Sequence, residues 1–227
     1  MYAIAIDGPA SSGKSSMASR IAKKLGILHL NTGRLYRAVG LYAYKHGYFP
    51  KNKKTGQVVI NKKEVNDVIA NADINVKYID GLQHTYLNGD DVSELLTTPI
   101  ISDYSSRVSV VPEIRDYVTD IQRKVAESNN VVMEGRDITS NVLPNAKYKF
   151  FITASPEVRA ERRLNELLEK GLTCTYEEIL EDIRERDRRD ITREYCPLIQ
   201  VPEAIVLDTT HNTLDEMVDK ALSYIKE

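Results

Sequence analysis

Five short apolar runs punctuate the chain, and stretches with helical spacing separate them. Tyr2 to Ile6 is the first run. It ends at the turn signal Asp7-Gly8-Pro9 and predicts a buried strand. From Lys14 the apolar positions Met17, Ala18, Ile21, Ala22 and Leu25 recur at helical spacing, and Gly26 follows as a stop. Ile27 to Leu30 reads as a second strand. Thr32-Gly33 then opens a helix through Leu35, Tyr36, Val39 and Tyr42. Val131–Met133, Tyr148–Thr153 and Ala204–Leu207 predict three further strands. Helices are expected from about Asp103 to Val125 with an interruption near Pro112, and from Pro156 to about Lys170. Two more are expected from Tyr176 to about Asp190 and from Leu214 to Ile225. Strands alternating with helices predict an α/β fold with a parallel sheet.

Residues 48–95 break that rhythm. KNKKTG is a polar turn cluster, and Ile74 to Tyr78 alternates apolar with polar as a half-buried strand does. His84 to Leu87 runs into Asn88-Gly89, a strong hairpin dipeptide. A hairpin does not belong in a parallel sheet, so about 60–95 is expected to be an inserted antiparallel β subdomain.

Composition narrows the class. The chain has 227 residues, 42% apolar, with 31 Lys+Arg against 33 Asp+Glu. That is ordinary globular usage, which excludes a disordered chain, a collagen and a small disulfide scaffold. A net charge of −2 argues against nucleic acid as a partner. Cys174 and Cys196 form no CxxC or Cys/His cluster and read as reduced thiols. The four histidines, His29, His46, His84 and His211, are scattered without metal-ligand spacing. No run approaches the ~18 apolar residues that span a bilayer, so a soluble cytoplasmic protein is expected, and with no obvious interface stripe a monomer.

The candidate chemistry begins at Gly8-Pro9-Ala10-Ser11-Ser12-Gly13-Lys14-Ser15, which fits G-x-x-x-x-G-K-[ST] without a mismatch. Such a loop turns backbone N–H groups toward phosphate oxygens, its lysine reaches the β- and γ-phosphates, and its hydroxyl binds Mg²⁺. A strand before and a helix after are the context it requires. Nucleotide contacts are expected from Gly8 through Ser15, with Ser16 beside them. A GTPase would carry N-K-x-D, and Asn61-Lys62-Lys63-Glu64 fails at the acid. An ABC ATPase would carry LSGGQ, which is absent. A small kinase remains. Such an enzyme needs cations for the migrating phosphoryl group and for the acceptor. Arg37, Arg136, Arg159, Arg163, Arg186 and Arg193 stand at strand and helix ends. Arg186, Asp190 and Arg193 would share one helical face if the helix runs that far. Glu134, at the end of an apolar strand, suits a water-mediated Mg²⁺ ligand.

These segments resemble bacterial cytidylate kinases, within the nucleoside monophosphate kinases. IDGPASSGKSS resembles that family's opening, and NTGRLYR at 31–37 its acceptor motif. EGRDITSNVLP at 134–144 and ERDRRDITREYCPL at 185–198 resemble its third and lid motifs. The resemblance implies a P-loop NTPase three-layer fold: a five-stranded parallel sheet flanked by helices, an inserted small antiparallel β subdomain and a helical lid. It implies one kinase domain over 1–227, with a core at 1–59, 96–156 and 194–227. The monophosphate-binding insert would be about 60–95 and the lid about 157–193. The expected reaction moves the ATP γ-phosphoryl group to CMP or dCMP with Mg²⁺. Lys14, Arg136, Arg186 and Arg193 would be catalytic. Thr32 and Arg37 would meet the acceptor phosphate side, and Ser106, Arg115 and Asp137 would read cytosine. Arg136 and Arg193 would clamp phosphate, and Arg186 and Asp190 would hold the ribose. Arg159 and Arg163 would lie near the donor adenine and phosphates. Ser15 and Glu134 would serve the metal. Glu134 stands where the family usually has Asp, and Arg34 replaces a smaller residue beside the acceptor motif. A kinase for another acceptor, such as UMP or shikimate, and a non-catalytic nucleotide switch are the alternatives. Both leave the base-reading set or the extra arginines without work.

Overall fold

The computed structural model describes residues 1–169 and 171–225. The chain divides into two compact units, one formed by Met1–His29 with Asn129–Glu227 and one by Leu30–Ser128.

In the first unit the opening strand β1 (Ala3–Asp7) leads through the glycine-rich loop into α1 (Lys14–Leu25), which Gly26 ends at φ 64°. β2 (Leu28–Asn31) crosses the boundary into the second unit. After the second unit come β6 (Val131–Gly135), β7 (Tyr148–Thr153), α6 (Pro156–Glu169), α7 (Tyr176–Thr192), β8 (Ile205–Asp208) and α8 (Leu214–Tyr224). The expected end of α6 at Lys170 lies outside the described residues. Five strands form a parallel sheet in the order β2-β6-β1-β7-β8. β1 pairs with β6 from Ala3↔Val131 to Asp7↔Gly135, and with β7 from Ile4↔Tyr148 to Asp7↔Phe151. The central strands are buried on both faces, as covered parallel sheets require. Ile4, Ile6, Val132, Phe150 and Ile152 pack with Met17 and Ile21 of α1 and Met217 and Val218 of α8. This places the carboxyl ends of β1 and β6, and hence the loops at 8–13 and 136–143, side by side.

The second unit holds α2 (Thr32–Lys45), α3 (Lys62–Asn71), the antiparallel strands β3 (Ile74–Ile79), β4 (Leu82–Leu87) and β5 (Asp90–Asp91), then α4 (Pro99–Val108) and α5 (Pro112–Ser128). Leu35, Val39, Tyr42, Phe49, Val68, Ile101 and Ile114 lie in one core. α2 and α4 approach closely because Gly40 has no side chain: a Cβ there would sit 2.7 Å from Ser105 N. The expected antiparallel strands are present: β3 pairs with β4 from Ile74↔Leu87 to Ile79↔Leu82, turning at Asp80-Gly81, and the expected Asn88-Gly89 turn leads β4 into the short third strand β5. The interruption at Pro112 is also present, as the start of α5, and Pro99 starts α4 in the same way.

Candidate active site

The loop between β1 and α1 is shaped for an anion. A Cβ on Gly8 would run into the carbonyl oxygen of Ile152, so only glycine fits where the loop leaves the sheet. Gly13 sits at φ 87°, and no side chain caps the start of α1. Its first turn holds no acid either. α7 and α8, by contrast, both begin with complete capping boxes, from Thr175 and Thr213. The amide groups and positive end of α1 are therefore left for a ligand. Ser12 Oγ is buried with no hydrogen-bond partner among the described residues, as a phosphate cradle leaves it. Lys14 is 7% exposed and its Nζ donates to Pro9 O at 3.0 Å. Burial and the charges of Arg136 and Arg186 push its pKa down to about 7, with Glu134 and Asp190 pulling the other way.

Glu134 and Ser15 face one another. Burial pushes the Glu134 carboxyl up. The nearby His29 ring, the charge of Lys14 and a hydrogen bond from Ser15 outweigh that and hold it below the usual range. His29 Nε2 stands 3.7 Å from Glu134 Oε1. A hydroxyl and an ionised carboxylate at the mouth of a phosphate loop suit Mg²⁺, which takes one or two protein oxygens and completes its shell with phosphate and water. No cluster of three or more His, Cys, Asp or Glu side chains forms a metal cage among the described residues.

Beside Lys14 lies a lattice of arginines and carboxylates. Arg136 Nε donates to Asp190 Oδ2 at 2.7 Å. Arg193 stands 3.7 Å from Asp137 Oδ1 and 4.0 Å from Asp190 Oδ1, and its Nε donates to Cys196 O. Burial pushes the Asp190 carboxyl up, but Arg136, Arg186 and Arg193 together hold it down. Arg186 thus lies in the field of both Asp190 and Lys14. The expected helical face needs one correction. α7 stops at Thr192, and Arg193 caps it with extended backbone (φ −62°, ψ 141°). Its guanidinium joins the lattice from the loop, not from the helix.

Asp7 was not anticipated from sequence. It accepts from Ile138 N at 2.9 Å and from Thr139 N and Oγ1 at 2.7 and 2.6 Å. It thereby fastens the wide i→i+5 turn that follows Arg136 and Asp137, closed by Val142 N to Asp137 O and Leu143 N to Ile138 O. Thr209 was missed as well. Its hydroxyl donates to Ser12 O, and Arg162 donates to that hydroxyl and to Thr209 O. Arg162 Nη1 would lie 3.9 Å from a Cβ on Gly13, and Arg162 was given no role from sequence. Arg163 pairs with Glu166 at 2.8 Å in a half-buried position. Arg159 is only 3% exposed, and Ala154 O, Ala10 O and Asp187 take its donors.

In the second unit, Thr32 is buried at the start of α2 and Arg37 donates to Leu96 O at 2.8 Å. Arg115 is 2% exposed. Its guanidinium lies 5.3 Å from the Tyr36 ring centroid and donates to Ser109 O. Ser109 Oγ donates in turn to Ser106 O, so Ser106, Arg115 and the acceptor-motif helix form one connected set. The Gln83 side chain bonds both N and O of Asn31 at 2.8 and 3.3 Å, and Arg34 donates to Gln83 O. The inserted sheet is thereby tied to the start of α2. No helix among the described residues is long and apolar enough to cross a membrane.

A family model described as Cytidylate kinase matches residues 4–227. A protein named "Cytidylate kinase" from Caldicellulosiruptor bescii is 41% identical over 96% of this chain and 93% of its own length. One of the same name from Fervidobacterium nodosum is 42% identical over 99% and 96%. Among solved structures, an uncharacterized protein from Eubacterium ventriosum covers 99% of the chain and 98% of its own, with a TM-score of 0.54 at 14% identity; it is a match of fold alone.

Proposed function

The chain belongs to the cytidylate kinase family, and on that premise we propose that it moves the γ-phosphoryl group of ATP to CMP or dCMP, giving ADP and CDP or dCDP. One observation carries the reading: Lys14, in the phosphate loop, lies in the field of Arg136 and Arg186. A phosphate loop with further cations acting on its lysine is what a kinase needs and what a plain ATP binder does not.

The acceptor phosphate oxygen is already nucleophilic, so no general base is required. The work is alignment of donor and acceptor in line and neutralisation of charge. The α1 amides and Lys14 hold the donor phosphates. Arg136, Arg186 and Arg193 take up charge on the migrating group, and Arg136 and Arg193 also grip the acceptor phosphate. Asp190 accepts from a ribose hydroxyl. Ser106, Arg115 and Asp137 read the cytosine edge, whose amino group suits a carboxylate and whose ring acceptors suit Arg and hydroxyl. Thr32 and Arg37 meet the acceptor's phosphate side, and Arg163 lies toward the donor. Ser15 and Glu134 would hold Mg²⁺, which supplies charge neutralisation at the phosphate oxygens when bound. The segment at about 157–193 closes as a lid and the insert at about 60–95 receives the monophosphate. Closure excludes water and keeps ATP from hydrolysis.

An ADP-release assay with ATP and Mg²⁺ over CMP, dCMP, UMP, AMP, GMP and dTMP, with a blank, tests this. CMP and dCMP should dominate and the blank should be near zero. Fast acceptor-independent hydrolysis would remove the kinase reading. A different preferred acceptor would remove the roles of Ser106, Arg115 and Asp137.

A further inference from the structure

Among the arginines of the first unit, Arg159 is buried and makes four hydrogen bonds. Its Nε donates to Ala154 O at 2.9 Å, just past β7. Nη1 donates to Ala10 O in the phosphate loop at 3.3 Å and to Asp187 Oδ1 at 3.0 Å. Nη2 donates to Asp187 Oδ2 at 2.6 Å. Four of these bonds reach three separate segments, which nearly exhausts the five N–H groups of a guanidinium. Asp187 follows Arg186 directly and precedes Asp190 by three positions on α7.

The pair is not needed to hold α6 to α7. Ala160, Ile179 and Ile183 already do that, with Leu164, Leu167 and Leu180 against them. A buried ion pair alone is also poor evidence for stability. What this one adds is direction. A bidentate fork fixes the plane of the guanidinium, and that plane points the remaining donor edge at the loop carbonyl.

We propose that Arg159 and Asp187 form a strut between the phosphate loop and α7, so that filling the loop fixes the helix that carries Arg186 and Asp190. Arg159 is then a positioning residue and Asp187 its anchor. The consequence for the acceptor side rests on the kinase reading above; the strut itself does not.

Calorimetric titration of MgATP into the wild type, Arg159→Lys, Asp187→Asn and the double variant tests it. Each single change should weaken ATP about tenfold, and the double variant should be no weaker than the weaker single. Asp187→Glu, which keeps the charge, should lie between Asp187→Asn and the wild type. In steady-state assays at saturating ATP, Asp187→Asn should also raise the acceptor KM. If Asp187→Asn binds ATP within about twofold of the wild type while Arg159→Lys is weak, Arg159 is a direct nucleotide ligand and the strut is wrong. A fall in Tm with ATP affinity unchanged in both would make the pair mere packing and overturn it equally. A wild type that binds ATP but uses no monophosphate would sink the kinase reading, while the ATP titrations would still decide the strut.

Discussion

Lys14 costs the free protein stability, and that cost has a definite pH signature. Its pKa falls from 10.5 to about 7 on folding, so the unfolded chain binds more protons between those values. The penalty is full below about pH 7 and fades as pH rises toward 10.5. Lys14→Met should therefore raise Tm near pH 6.5, with the gain shrinking toward pH 10, while kcat falls by about 10²–10³. A thermal-melt series over pH checks the first part and the ADP-release assay the second. Bound triphosphate should restore the lysine's charge. ATP binding at pH 8 should then take up close to one proton, measurable as a buffer-dependent heat and lost in Lys14→Met. At this scale the loop residues were legible because the motif is contiguous. Asp7 was not, since its partners Ile138 and Thr139 lie 131 and 132 positions away. Thr209, which meets Ser12 across 197 positions, was hidden for the same reason.

Helix ends separate structural from ligand-binding roles. Thr175 closes a capping box with Glu178 at the start of α7 and is exposed. Thr175→Ala should cost about 1 kcal/mol locally. Because it touches only the first turn, hydrogen exchange at residues 176–180 should speed up roughly fivefold while the global Tm barely moves. Arg193 shows where periodicity misleads. Counting i, i+4, i+7 would align it with Arg186 and Asp190 only if the helix ran that far; the helix ends at Thr192 and the guanidinium arrives from an extended cap. α3 was invisible for a related reason. Its apolar positions are few, with Val65 and Val68 its buried residues, and the neighbouring polar cluster hid its Asn61 cap. Pro112 and Asn88-Gly89 marked boundaries that the structure keeps, the latter as the turn from β4 into β5, whereas the β3–β4 turn at Asp80-Gly81 was not singled out.

On the scale of the whole chain, the parallel sheet was readable because its strands are short, apolar and separated by helical stretches. Their order was not. β1 takes the centre because it pairs with β6 and β7, and nothing local to residues 3–7 announces partners that begin at Val131 and Tyr148. That order also runs a clock. Every pairing of the second unit's small sheet closes within Ile74–Asp91, and among the described residues its core draws on positions 35–121. β1 must wait for neighbours more than a hundred residues downstream, and long loops close late. During refolding, pulse-labelled amides in α2, α4 and the hairpin should gain protection before those of β1. The phosphate loop, although near the start of the chain, would then be among the last parts to acquire its shape, and a half-made chain could not bind ATP.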